Sequence, residues 1–199
     1  MPSDPVRVMW PIPLQVLLTN QNDPDIPPQA LTIDEVTGSL ATIDIVHHEV
    51  HEGELFHTEY SASVNNGANL DVQVTTTATS EAHMTAVVSA GGQSLVYLYE
   101  APNTSAGTAL TVYNMRRIDI THTSPYTAVH TPTVTGVGTT PLINGRLIAG
   151  GTSVPSRVGG ETRGATEWIL APNTKYLLRV NNNSGGAIVI HVTIEAYGS

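Results

Sequence analysis

No cysteine occurs anywhere in the 199 residues. A disulfide framework, a thiolate metal site and a cysteine nucleophile are excluded together by that one absence. Positive charge is almost as scarce: 8 Lys plus Arg stand against 17 Asp plus Glu, and Lys175 is the single lysine. A net charge of -9 argues against nucleic acid as a partner, because phosphate-backbone binding runs on basic patches. With one lysine there is no Gly-Lys pair of a phosphate-binding loop, and Gly136-Val137-Gly138 lacks the third glycine of a dinucleotide fingerprint. No apolar run approaches the ~18 residues that a membrane span needs. The opening residues MPSDPVRVMW lack the basic start and apolar stretch of a targeting signal, so neither membrane nor export is expected. Aromatics are 5% of the chain, and no Gly-x-Ser-x-Gly elbow offers a serine nucleophile.

What is abundant is threonine, at 26 residues, with 17 glycines and 13 prolines as punctuation between short segments. That is an all-β composition. The period agrees: Ile188, Ile190, Val192, Ile194 and Ala196 fall on one face of an extended segment, His191, Thr193 and Glu195 on the other. Tyr176, Leu178 and Val180 alternate in the same way before the polar link NNNSGG, which reads as a β-hairpin. Further strands are expected at 70–74, 82–89, 95–99, 108–114, 126–134 and 167–170, with turns at 65–69, 90–93 and 102–107. No convincing helical period appears. Many short strands with regular turns imply a β-sandwich or jelly-roll-like domain over residues 41–199.

Residues 1–40 differ. They hold seven of the 13 prolines, yet they display Val8, Trp10, Ile12 and Leu14, which a free tail has no reason to carry. This stretch reads as an extended arm that docks on something. Residues 145–164 read as a long glycine-rich loop, mobile or ordered by a partner, with Arg157 and Arg163 in it.

The densest polar cluster spans 47–54. On a strand, His47, Glu49 and His51 share one face, and imidazole plus carboxylate suits zinc or another first-row ion. The spacing is not the His-Glu-x-x-His of a zincin, and a solvated or subunit-contacting strand face is the favoured reading. Glu167 beside Trp168 is the best acid for catalysis, against a plainer reading as a core strand flanked by a surface carboxylate. Asn20, Asn22, Asp23 and Asp25 lack the central glycine and closing glutamate of a calcium loop. Arg116-Arg117, the one adjacent basic pair, is expected in a salt-bridged contact within or between subunits. Neither a catalytic residue nor a cofactor is assigned.

Several segments look familiar together: the run from His48 through Glu49, Val50, His51 and Glu52 to Gly53, the run from Asn114 through Met115 and Arg116 to Arg117, Pro132 to Gly136 with Gly138-Thr139, and Arg163 to Leu170 followed by Asn173 to Arg179. Over about residues 40–199 the chain resembles the capsid decoration, or cement, proteins of tailed-bacteriophage virions. The resemblance implies a non-enzymatic β-sandwich on the outer surface of the phage head. It also implies self-association, as a homotrimer, and binding to the major capsid protein. Val8, Trp10, Ile12, Leu14, Arg116, Arg117, Arg157 and Arg163 are the candidate capsid or subunit contacts. The rival is a carbohydrate-binding head-fibre or adhesin-like module, whose mark is an exposed platform built from Tyr97, Tyr99, Tyr113, Tyr126 or Trp168.

Overall fold

Strict alternation of apolar and polar residues dictates the architecture, because each strand then has one face that must leave water. The computed structural model describes residues 17–18, 29–30, 45–78, 81–118, 121–138, 141–150, 160–162 and 167–198. The chain divides into two compact units, Met1–Asp44 and Ile45–Ser199. In the first unit, β1 (Leu17–Leu18) pairs antiparallel with β2 (Gln29–Ala30). Val8, Trp10, Ile12 and Leu14 lie outside the described residues.

The second unit begins with helix α1 (Ile45–Glu52) and continues as strands. One sheet has the order β13 (Gly160–Thr162), β5 (Ala82–Ala90), β16 (Ile188–Gly198), β3 (Leu55–Val64), β9 (Tyr113–Asn114), with β14 (Trp168–Leu170) also on β5. The other has the order β12 (Pro141–Ile148), β6 (Ser94–Glu100), β15 (Lys175–Asn182), β4 (Asn69–Thr76), β10 (Tyr126–His130), β8 (Thr108–Leu110). A separate pair, β7 (Asn103–Ser105) and β11 (Thr133–Gly136), belongs to the long insert between β6 and β12. All these pairings are antiparallel.

From β3 to β6 successive strands alternate between the two sheets. After β12 the chain alternates back through β14, β15 and β16, laying β15 between β4 and β6 and β16 between β3 and β5. That double return is the winding of a jelly roll. The all-β sandwich expected from composition is therefore the fold.

The core lies between the facing sheets. Val72 and Val74 of β4, Leu98 of β6 and Leu178 and Val180 of β15 meet Met84 and Val88 of β5 and Ile190, Val192 and Ile194 of β16. Each fully buried side chain of this size contributes roughly 1.5–3 kcal/mol over its exposed state. The β16 alternation expected from sequence holds throughout: Ile188, Ile190, Val192, Ile194 and Ala196 are all buried.

Four expectations need correction. Residues 47–51 form helix α1 instead of a strand. A helix turns 100° per residue, so His47 and His51 stack one turn apart while Glu49 points away from both. The 108–114 strand is two strands in different sheets, β8 beside β10 and β9 beside β3. The 126–134 strand breaks at Thr131, whose φ of 51° no strand accommodates, followed by Pro132, which has no N–H to donate. The glycine-rich stretch at 145–164 is not all loop, since 145–148 belong to β12 and 160–162 form β13 against β5.

The ten-residue strand β3 is not among the strands that apolar alternation marks. Its inward positions are Phe56, Thr58, Tyr60, Ala62 and Val64, a mixed set with only two aliphatics among them. The alternation was present in the outward set His57, Glu59, Ser61 and Ser63, all hydrophilic, and that is the signal that could have found it.

Candidate docking surface

Helix α1 is too short to hold itself in water, so its place is set by what ends it. Gly53, at φ 81°, adopts the left-handed conformation that closes a helix. The Glu54 N–H reaches back to the Glu49 carbonyl at 2.9 Å and the Gly53 N–H to Val50 at 3.2 Å. Arg116 then donates from Nη1 to the His51 carbonyl at 2.7 Å, placing a cation where the helix dipole is negative. Its side chain lies across Gly53, where a Cβ would sit 3.2 Å from the arginine Cδ.

The buried Asn114 completes the fastening. Its Nδ2 donates to the Gly53 carbonyl at 2.6 Å, and its Oδ1 accepts the Arg116 N–H at 2.8 Å. The Met115 N–H bonds the Leu55 carbonyl at 2.9 Å. Residues 114–116 are thus tied to the α1 end of the first sheet. Beside the exposed Arg117, residues 113–118 send large apolar side chains outward: Tyr113 is 50%, Met115 39% and Ile118 72% exposed.

Arg117 stands among them, its guanidinium 5.9 Å from the centre of the Tyr113 ring, within reach of a cation–π attraction. Its Nη1 lies a long 3.5 Å from the Asn114 carbonyl. Among the described residues the ion pairs involve Arg179 and histidines, and neither Arg116 nor Arg117 takes part in one. Within the described residues the pair makes a helix cap and a ring contact. Beside them His57, Tyr113, Asn114, Met115, Arg117 and Glu195 line a depression of about 380 Å³. Tyrosine, methionine and arginine are the residues enriched where proteins meet.

The other predicted residues are placed as follows. His47 Nε2 and His51 Nε2 approach to 3.0 Å on the exposed face of α1, while Glu49 lies 3.5 Å from His48. Among the described residues, no three histidine or acidic side chains are arranged to hold a metal ion. Arg157 and Arg163 lie outside the described residues. Trp168 packs against the core and Tyr126 is buried within it, whereas Tyr97 and Tyr99 lie on the outer face of the second sheet.

Glu167, the candidate acid, is engaged structurally. Its Oε1 accepts from Tyr197 OH at 2.6 Å and from His83 Nδ1 at 2.6 Å, and the two rings stack at 4.8 Å. The Tyr197 bond, with help from His83, holds the Glu167 carboxyl below the usual carboxylate range. Burial, reinforced by the acceptor Glu167, pushes the Tyr197 phenol up to about 12. A phenol raised in the folded state favours folding below its unfolded value, near 10, and that contribution is lost as pH climbs through about 12. We expect the Tyr197 midpoint, isolated as the ultraviolet difference against Tyr197→Phe, to fall toward 10 in Glu167→Gln. An unmoved midpoint would refute the contact.

Comparison of the chain with protein-family models, with curated proteins and with solved structures returns no match.

Proposed function

We propose that this chain is a non-enzymatic decoration protein of a tailed-phage head, which seats on the outer surface of the shell and stabilises its lattice. The observation that carries this reading is the 113–118 surface, where an exposed tyrosine, methionine and isoleucine surround Arg117, whose guanidinium lies over the Tyr113 ring. A chain that displays such a cluster on a rigid scaffold is built to bind another protein surface. The sequence resemblance supplies the kind of partner, the major capsid protein, and the homotrimeric state. An acidic, lysine-poor chain suits the outside of a shell whose interior holds DNA, because its charge repels packaged phosphates. The proline-rich arm of residues 1–40 supplies a second grip across subunit boundaries.

The test joins mass by light scattering to co-sedimentation with heads that lack the protein. A trimer that saturates heads at a fixed ratio is the expected result. A chain without residues 1–40 should remain folded and lose head binding. A monomer that ignores heads would overturn the reading.

A further inference from the structure

The outer face of the second sheet carries a polar and aromatic arrangement that the docking surface does not use. The side chains at odd positions of β6, β15 and β4 point away from the core, and the register sets Tyr97 opposite Arg179 and Arg179 opposite Asp71. Two residue pairs along, Tyr99 faces Leu177. The rings of Tyr97 and Tyr99 are parallel to within 7°, with centres 5.9 Å apart. Arg179 is locked beside them by a two-pronged bond to Asp71, Nε to Oδ1 at 2.7 Å and Nη2 to Oδ2 at 2.8 Å. That fork uses two of the five guanidinium N–H donors and one lone pair on each carboxylate oxygen.

The neighbouring edge strand keeps side-chain bulk away from Tyr97. β12 is bulged between Asn144 and Arg146, and Gly145 sits there at φ 70°. A Cβ at that position would lie 3.5 Å from Cε1 and from the hydroxyl of Tyr97, so the glycine keeps side-chain bulk off that ring. Asn144, exposed beside it, adds an amide that both donates and accepts.

From this geometry we infer that the Tyr97–Tyr99 face binds a neutral oligosaccharide. A pyranose presents an apolar C–H face and a rim of hydroxyls that are donors and acceptors at once. The parallel rings match the first, while Arg179 and Asp71, already fixed in place, and the exposed Asn144 amide match the second with groups of both kinds. Local charge favours a neutral ligand, because Asp71 neutralises Arg179 and the chain as a whole carries -9. A nucleobase stacked on the same rings would bring phosphates into that repulsion. The site lies on the other sheet from the 113–118 surface, so a copy docked through that surface leaves it open to solvent.

The experiment is calorimetric titration of the full chain with cellohexaose, maltohexaose, chitohexaose and mannohexaose, each to about 5 mM, with decaproline as a peptide probe for aromatic grooves. Saturable binding of at least one hexaose is expected. Tyr97→Ala and Tyr99→Ala should each weaken it at least about tenfold, and Arg179→Lys, which keeps the charge but loses the fork, should do likewise. Tyr97→Phe retains the ring and should bind within about threefold of the parent. Tyr113→Ala should bind as the parent does. Near-ultraviolet circular dichroism and melting of each variant separate lost binding from lost folding. The inference fails if no hexaose binds, if a folded Tyr97→Ala and Tyr99→Ala bind unchanged, or if decaproline alone occupies the face.

Discussion

Met115→Glu combined with Ile118→Glu is expected to weaken head binding at least about 100-fold, a loss of about 2.7 kcal/mol. Both side chains stand exposed on a segment held from beneath by Asn114 and Arg116. The substitutions therefore replace the apolar contact with two desolvated carboxylates while leaving the fastening intact. Surface changes of this kind alter stability by about 0.5 kcal/mol or less, so the melting temperature should hold. Arg117→Ala should weaken binding as well, since it removes the cation beside Tyr113. Co-sedimentation across a concentration series reads the affinity directly. If the parent chain saturates heads and the double variant does so equally well, the 113–118 surface is not the contact. If the parent itself ignores heads, the decoration reading falls and the surface faces a different partner.

Asn182→Ala is expected to lower folding stability by about 2–4 kcal/mol, as large an effect as a major core truncation. The side chain is 0% exposed at the end of β15. Its Nδ2 donates to the Val64 carbonyl at 2.7 Å and to the Gly186 carbonyl at 2.8 Å, and its Oδ1 accepts the Ser184 N–H at 2.9 Å. One amide therefore ties the end of β3 to the turn between β15 and β16, joining the two sheets at that end of the sandwich. Truncation leaves the Val64 carbonyl and the Ser184 N–H without their partner where water does not easily reach. Ser184 still bonds Gly186 from its own hydroxyl at 3.0 Å, which limits the loss. Urea unfolding checks the value, and a midpoint unchanged from the parent would show that the bonds carry no net stability.

These two sites differ in how much of them the sequence announced. Arg116 and Arg117 stood out as a basic pair in an acidic chain, and their neighbourhood proved to be the exposed apolar surface. Their partners were not legible. Arg116 caps a helix 65 residues earlier in the chain, and only the fold brings those backbones together. The run NNNSGG places Asn182 beside a polar turn, and nothing local marks it as buried. The histidine cluster at 47–51 shows a related gap. Its alternation fits a strand, and Val46 with Val50 fits one turn of helix equally well. The choice fell to Gly53, Asn114 and Arg116, two of which are distant in sequence.

By itself the sequence determined the class of the fold and the inward set of its best strands. A period of two is a local property, and burying one face of each strand is the main thing that folding achieves here. It also removed cysteine chemistry by composition alone. The tertiary structure decided which strands became neighbours, and through that every long-range polar contact. Arg179 meets Asp71 across 108 residues, Asn182 meets Val64 across 118, and Tyr97 and Tyr99 gain their flanking ion pair only because β15 lies between β6 and β4. Strand order follows from how two faces close over one core. That is a property of the whole chain, and no window of residues carries it.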